Sequence, residues 1–301
     1  MPAEGLPWLS RIDKLSDDEI VELAALFVSL GVRSIRLTGG EPLVHPTLVS
    51  VVERLAQLRP RPELSLTTNG VGLAGRATAL VAAGLDRVNV SVDTLDHDRF
   101  RELTRRARLD DVLAGVAAAA AAGLAPLKVN AVLMRESNFG EAPELLSWAL
   151  QNGYEIRFIE HMPLDADHIW SRSQMVTADE ILESLAAKFD LRPRGHDGSA
   201  PAEDFDVIED GAVIGRVGVI ASVTRPFCRD CDRLRLTADG QLRTCLFAQS
   251  ETDLRGPLRA GASSAELADL IRTAVAGKQA GHGIERADFV QPQRTMSAIG
   301  G

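Results

Sequence analysis

The apolar positions of this chain follow one repeating grammar. Ser16-Asp17-Asp18-Glu19 places Ser and Glu three apart ahead of an apolar run, which is the pattern of a helix capping box. The helix it predicts runs to about Leu30, where Gly31 stops it. An alternating stretch follows, Ser34-Ile35-Arg36-Leu37-Thr38, with the two-residue period of a half-buried strand. Gly39-Gly40-Glu41-Pro42 then turns the chain.

The unit recurs. Gly84 ends a helix before Arg87-Val88-Asn89-Val90-Ser91-Val92-Asp93, and Gly123 ends an Ala-rich helix before Leu127-Lys128-Val129-Asn130-Ala131-Val132-Leu133. Gly153 precedes Glu155-Ile156-Arg157-Phe158-Ile159-Glu160, and Glu63-Leu64-Ser65-Leu66-Thr67-Thr68-Asn69-Gly70 is a short strand running into a turn. Helix, glycine, strand, repeated four or five times, predicts βα units and a parallel sheet with right-handed connections. Polar residues gather just after the strands: Gly39-Gly40-Glu41, Thr67-Thr68-Asn69, Ser91 with Asp93, and Met162. In a barrel those points share the ligand-binding face; an open doubly wound sheet would also collect ligands there.

The grammar changes after a helix capped by Thr177 and Glu180 that runs to about Lys188. Residues 192–204 read as a loop rich in Pro, Gly and charge. Shorter strands follow at Gly215–Ile220 and Arg233–Leu236, with Ala238-Asp239-Gly240-Gln241 as a turn and a last helix over about Ala265–Ala276. The division expected is 1–190 and 191–301.

Composition narrows the class. A chain of 301 residues, 45% hydrophobic, supports one large α/β barrel or two modest domains. No run of 18 apolar residues spans a membrane, and the first residues lack the basic start and apolar stretch of a signal peptide. With no disulfide framework, a reducing, cytoplasmic location is expected. A net charge of −9 argues against a general nucleic-acid surface but leaves room for a local basic pocket.

Candidate chemistry lies in two groups. The only three cysteines, Cys228, Cys231 and Cys245, fall in one 18-residue window around the turn at 238–241. A C-x2-C turn with a third thiolate returning on a following strand suits an iron–sulfur cluster with one iron left open, or a Cys3His zinc site, or a reversible disulfide with one thiol over. The second group is basic. Lys128 stands inside a strand, where an ammonium needs an anion or a wet cavity. Arg233 and Arg235 share a strand face just beyond Cys231, and with Arg36 and Lys128 they would line a polyphosphate pocket. Glu41 would accept hydrogen bonds from an amine or hydroxyl.

Taken together these residues resemble the MoaA-type radical S-adenosylmethionine (SAM) GTP 3′,8-cyclases of molybdenum-cofactor biosynthesis. The resemblance covers essentially the whole chain. It rests on Met1-Pro2, Arg36-Leu37-Thr38-Gly39-Gly40-Glu41-Pro42, Thr67-Thr68-Asn69-Gly70, Asn89-Val90-Ser91-Val92-Asp93, Lys128-Val129-Asn130, Arg157-Phe158-Ile159-Glu160 and Met162-Pro163. It continues through Cys228-x2-Cys231-x13-Cys245 with Arg233-Leu234-Arg235, to Gly300-Gly301. The Gly-Gly-Glu-Pro turn marks the wider radical SAM group; the cysteine trio, the R-x-R and the glycine tail narrow it.

The resemblance implies roles. Gly40, Ser91 and Met162 fall where the family contacts SAM. Arg36, Thr67, Lys128, Arg233, Leu234 and Arg235 fall where it contacts GTP. Cys228, Cys231 and Cys245 would hold a second [4Fe–4S] cluster, with one iron open to the guanine. Gly300 and Gly301 would reach into the site and assist catalysis; no general base is assigned. The reaction implied is removal of the ribose 3′ hydrogen of GTP by a 5′-deoxyadenosyl radical, closure of C3′ on guanine C8, and formation of (8S)-3′,8-cyclo-7,8-dihydroguanosine 5′-triphosphate. An electron donor such as flavodoxin or ferredoxin, the cyclic pyranopterin monophosphate synthase as recipient of the product, and a homodimer belong to the same expectation.

The fold implied is a partial, laterally open α/β barrel with a small β-rich C-terminal extension carrying the second cluster. In the family, the first cluster sits on a C-x3-C-x2-C loop immediately before the residues that are Met1-Pro2 here. The sequence in hand is therefore expected to lack that loop and the first strand, to leave a sheet edge exposed with marginal solubility, and to be inactive as it stands. Met1 is expected to be an internal methionine of a longer reading frame. The alternatives are a cluster-less GTP- or SAM-binding paralogue without catalysis, a zinc-binding structural domain, and another radical SAM enzyme with an auxiliary cluster.

Overall fold

Eight strands make one sheet, and their order in space nearly follows their order in the chain. In the computed structural model, β1 (Ser34–Leu37), β2 (Glu63–Thr68), β3 (Arg87–Ser91), β4 (Lys128–Leu133) and β5 (Glu155–Glu160) lie side by side and parallel. Then come β6 (Asp190–Gly195), β7 (Glu203–Glu209) and β8 (Ala212–Ile220). β8 pairs parallel with β5, β7 antiparallel with β8, and β6 antiparallel with β7, so β1 and β6 are the two edges. The described residues are 9–165, 170–195, 198–279, 281, 283–284 and 289–300; Met1-Pro2 and Gly301 lie outside them.

The connections are helices, and those that end ahead of Gly31, Gly84, Gly123 and Gly153 are the ones the sequence pattern predicts. α1 (Asp17–Ser29) precedes β1, and its capping box forms as expected: Ser16 N donates to Glu19 Oε2 at 2.7 Å while Glu19 N donates to Ser16 Oγ. α2 (Leu48–Ala56), α3 (Ala77–Ala82), α4 (His97–Thr104), α5 (Leu109–Ala121) and α6 (Ala142–Gln151) link the parallel strands. α7 (Ala178–Ala186) leads into β6 and is capped by Thr177 with Glu180. The strand order never reverses among β1 to β5. With right-handed crossovers that winding puts the linking helices on one face, unlike a doubly wound sheet.

Side chains divide accordingly. Leu64, Leu66, Val88, Val90, Val129, Ala131, Leu133, Ile156, Phe158, Val217 and Val219 are 1% exposed or less and pack under the helices in the main core. Each fully buried Leu or Phe contributes roughly 1.5–3 kcal/mol to the folded state. The alternate positions of the same strands carry Arg36, Ser65, Thr67, Arg87, Asn89, Ser91, Lys128, Asn130, Glu155 and Arg157. A parallel sheet covered on both faces reads as a continuous apolar run. This one alternates, so its second face meets water or a ligand.

Two expectations need correction. Residues 192–204 are not one loop: β6 occupies Asp190–Gly195 and β7 begins at Glu203. The strand expected over 233–236 forms only as β9 (Arg235–Leu236). β9, β10 (Gln241–Arg243) and β11 (Thr252–Asp253) make a small antiparallel sheet, followed by α8 (Arg255–Arg259), α9 (Ser264–Ala276) and α10 (Met296–Ile299). The segment beyond residue 190 thus supplies three strands to the main sheet before it forms this smaller one.

A second core joins the chain's early and late parts. Leu15, Leu23 and Phe27 from the α1 region pack with Leu242, Leu254, Leu267 and Ile271. Arg259 reinforces the junction, donating to Glu19 Oε1 at 2.6 Å and to the carbonyls of Ile12 and Lys14. A third core gathers Leu164, Met175, Val223, Phe247 and Ile299, with Met162, Cys245 and Met296 against it.

Candidate active site

Strand register sets the polar face row by row. Arg36 lies beside Ser65, Thr67 beside Asn89, Asn89 beside Lys128, Ser91 beside Asn130, and Asn130 beside Arg157. Neighbours in a row touch. Arg36 Nε donates to Ser65 Oγ at 3.3 Å, Asn89 Nδ2 to Thr67 Oγ1 at 3.3 Å, and Arg157 Nε to Asn130 Oδ1 at 3.0 Å. Gly218 of β8 faces Arg157 across the next rung; a Cβ there would stand 3.0 Å from Arg157 Cγ and 2.9 Å from Asp204 Oδ1. The missing side chain leaves room for the guanidinium stem.

The face is crowded with positive charge. Two of its cations are matched: Arg87 pairs with Glu63, and Lys128 Nζ lies 3.0 Å from Glu155 Oε2. Lys128 therefore stands beside an acid on the neighbouring strand rather than facing an open anion site. Arg36, Arg157, Arg233 and Arg235 have no carboxylate at ion-pair distance among the described residues. Burial, then repulsion from Arg87 and Arg233, holds Arg36 below its ordinary value. Burial, then Arg36, pushes Arg157 down to about 10 despite Asp204 and Glu155 nearby. Burial, then Arg233, pushes Arg235 down to about 10 as well. These mutual repulsions place the hairpin arginines close to those of the sheet.

The cysteine hairpin closes the site from one side. Cys228–Asp230 forms a single 3-10 turn, and β9 and β10 pair antiparallel, Arg235 opposite Arg243, which carries Cys245 back towards Cys231. None of the three cysteines forms a disulfide, and all are half-buried. Burial raises the Cys231 thiol, but the backbone and side chain of Arg233, with Lys278, more than offset it, and the net shift is downward. Arg233 stacks its guanidinium 4.6 Å from the centre of the Phe227 ring. No group of three His, Cys, Asp or Glu among the described residues is drawn together to hold a single metal ion. A three-thiolate set beside cations suits an anionic iron–sulfur cluster.

The end of the chain also arrives here. Gly300 has φ +77°, and a Cβ on it would meet Thr38 Oγ1 at 2.5 Å, so only glycine fits this close approach to the end of β1. Arg235 Nη1 donates to the Gly300 carbonyl. Ser297 O lies 4.0 Å from where a Cβ of Gly40 would stand.

The structure thus brings Arg36, Arg233, Arg235, Cys231, Cys245 and Gly300 together, with Thr67, Ser91 and Arg157 on the adjoining face. Met162 packs in the third core with Cys245 and Met296. Leu234 is different: its side chain packs into the second core, away from the polar face. Glu41 is also not open to a ligand amine. Its carboxylate accepts from Leu43 N at 2.9 Å, Thr68 Oγ1 at 2.6 Å and Asn69 N at 2.8 Å, and so ties the two turns together. Two residues went unassigned in the sequence. Arg157 was visible only as one residue of a strand motif. Glu160 is fully buried and accepts from Ala178 N, Val223 N and Thr224 N at 2.7–2.9 Å, joining β5 to α7 and to the chain leading to the cysteines.

Comparison with known proteins adds the lineage. The chain matches the Radical SAM superfamily over residues 5–149 and Molybdenum Cofactor Synthesis C over residues 154–284. It is 61% identical to a GTP 3′,8-cyclase of Streptomyces coelicolor, covering all of this chain and 88% of that protein. It is 56% identical to a GTP 3′,8-cyclase of Mycolicibacterium smegmatis, covering all of this chain and 84% of that one. A solved structure of TYW1 with a lysine-pyruvate adduct bound aligns with TM-score 0.43 at 14% identity, over 58% of this chain and 63% of that one, too distant to carry an argument.

Proposed function

Because the chain belongs to the radical SAM family of GTP 3′,8-cyclases of molybdenum-cofactor biosynthesis, we propose that the polar face of its sheet and the cysteine hairpin beside it form one GTP site. The chain is a GTP 3′,8-cyclase, an enzyme of that radical chemistry. The sheet serves as the wall of a partial, laterally open barrel. What supports this is the sequential strand order with unjoined edges β1 and β6 and the polar inner face.

One observation carries the substrate assignment: four guanidiniums, on Arg36, Arg157, Arg233 and Arg235, repel one another at the polar face and, among the described residues, have no carboxylate at ion-pair distance. Like charges in low dielectric repel, and a polyanion relieves that repulsion while each guanidinium gains charge-assisted hydrogen bonds. The triphosphate is assigned to these four. Lys128 joins them by exchanging Glu155 for phosphate. Thr67, Asn89 and Asn130, already hydrogen-bonded along the rows, offer donors and acceptors to the ribose. Holding the ribose fixed between these groups is the protein's main contribution, since bond-making belongs to the radical.

Gly40, Ser91 and Met162 stand at or just beyond the ends of β1, β3 and β5 and are assigned to SAM. Gly40 leaves its backbone open to a close neighbour, and Ser91 is exposed although it lies in a central strand. Bound SAM would supply the hydrogen-abstracting radical once given an electron by a reduced cluster, and Cys228, Cys231 and Cys245 would hold a cluster that offers the guanine an open iron. The sequence holds one set of three cysteines, which fits one such cluster. Gly300 is assigned a supporting role through its contacts with Arg235 and Thr38.

Calorimetric titration of the purified chain with GTP and with guanosine tests the site. GTP is expected to bind at least tenfold more tightly, because the arginines act on the phosphates. Equal affinity for guanosine would overturn the assignment.

A further inference from the structure

Lys278 does something that neither the sheet nor the cysteines account for. It follows α9, one residue beyond Gly277, and is one of only four lysines in the chain. Its ammonium reaches into the cysteine hairpin and contacts both limbs. Nζ donates to the carbonyl of Arg233 at 2.6 Å and to the carbonyl of Thr244 at 2.8 Å, and lies 3.7 Å from Cys231 Sγ. Arg233 follows Cys231 by two residues, and Thr244 precedes Cys245. The three donors of one ammonium thus meet Cys231 itself and one carbonyl on each of the limbs that leave Cys231 and lead into Cys245.

The hairpin needs such a tie. β9 and β10 are only two and three residues long, and the 3-10 turn of Cys228–Asp230 lies outside their ladder. The limbs beyond the ladder, where the cysteines sit, have few backbone pairs of their own. α9 is fixed by Leu267 and Ile271 in the second core, so the lysine at its end has a firm base.

We propose that Lys278 is the positioning residue of the cysteine hairpin, clamping its two limbs through Arg233 and Thr244 and placing a fixed positive charge against Cys231. The proposal rests on the assignment of the three cysteines to an iron–sulfur cluster. A cation at a ligating sulfur favours the reduced, more negative form of a cluster, so Lys278 raises its reduction potential. An arginine cannot replace it, because a planar fork does not match three acceptors around one nitrogen.

The test uses the full chain, reconstituted anaerobically, with iron per chain and the cluster's reduction potential as readouts. Lys278→Met removes charge and donors; Lys278→Gln removes the charge and keeps two donors. The methionine variant is expected to hold half the wild-type iron or less. The glutamine variant is expected to keep most of the iron but to reduce at a potential more negative by about 59 mV or more, a tenfold shift in a one-electron equilibrium. Wild-type iron in the methionine variant, or a wild-type potential in the glutamine variant, overturns the proposal. Should the methionine variant fail to fold, the glutamine potential still decides. Absence of iron from the wild-type chain would instead strike at the cluster assignment itself.

Discussion

Arg235 donates from Nη1 to the carbonyl of Gly300, so the first strand of the cysteine hairpin holds the far end of the chain. The same guanidinium is assigned to GTP phosphate, and tail and nucleotide therefore meet at one group. Gly300→Ala places a methyl against Thr38 Oγ1 at a left-handed φ, a conformation that costs roughly 1–2 kcal/mol for a residue with a side chain. The tail should open about 5- to 30-fold more often. Hydrogen exchange of residues 295–300 should accelerate by that factor while the strands of the main sheet are unchanged. Unchanged exchange in the tail would show that the seat does not depend on Gly300.

Arg157 is expected to be a GTP contact. Arg157→Met should weaken GTP binding by about 10- to 100-fold, the worth of one charge-assisted interaction of about 1.5–3 kcal/mol. Gly218→Ala crowds Arg157 Cγ from β8 and should weaken binding several-fold without altering guanosine affinity. Titration calorimetry of the two variants checks both.

Glu160 is predicted to be a stability residue. Its carboxylate faces three backbone N–H donors in a fully buried position. Glu160→Gln turns one acceptor into a donor against donors and should destabilise the fold by about 2–4 kcal/mol. A urea midpoint within error of wild type would refute this.

Asp93 gives a pH dependence of definite sign. Burial raises its carboxyl to about 6, against one backbone hydrogen bond from Val132 at 2.8 Å that favours the charge. The folded chain therefore holds a proton that the unfolded chain has released, between about pH 4 and pH 6. Asp93's contribution is fully present below pH 4 and is lost as pH rises through 6. Asp93→Asn keeps the acceptor without the charge. It should leave stability unchanged at pH 4 and raise it by up to about 3 kcal/mol at pH 7.5. Equal stabilities at both pH values would contradict it.

Metal loading separates the cysteine assignments. Anaerobic reconstitution should give about four irons per chain with a broad absorption near 400 nm, as thiolate-held [4Fe–4S] does. Cys245→Ser should lose most of it. Zinc in place of iron would instead favour a structural site.

Much of the fold was legible because βα units leave local marks. Gly31, Gly84, Gly123 and Gly153 all take positive φ just past their helices, as the sequence pattern required. β6 was missed for a physical reason: it contains Pro193, and as an edge strand it can carry a residue that donates no hydrogen bond. The site was legible in part. Alternation puts Arg36 and Lys128 on a polar face, but it cannot say that Glu155 neutralises Lys128 while Arg157 has no carboxylate at ion-pair distance among the described residues. Lys278 was invisible, since its partners lie 34 to 47 residues away and meet it only through the packing of α9.

The second core has a consequence for synthesis. Leu23 and Phe27 leave the ribosome early, but their partners Leu267 and Ile271 follow roughly 240 residues later. At about 5–20 residues per second, the outer side of α1 waits roughly 12–50 s for its cover. During that interval a nascent chain with a finished βα sheet still presents leucine and phenylalanine to solvent. Chaperone demand should therefore concentrate on α1, and should end when α9 docks.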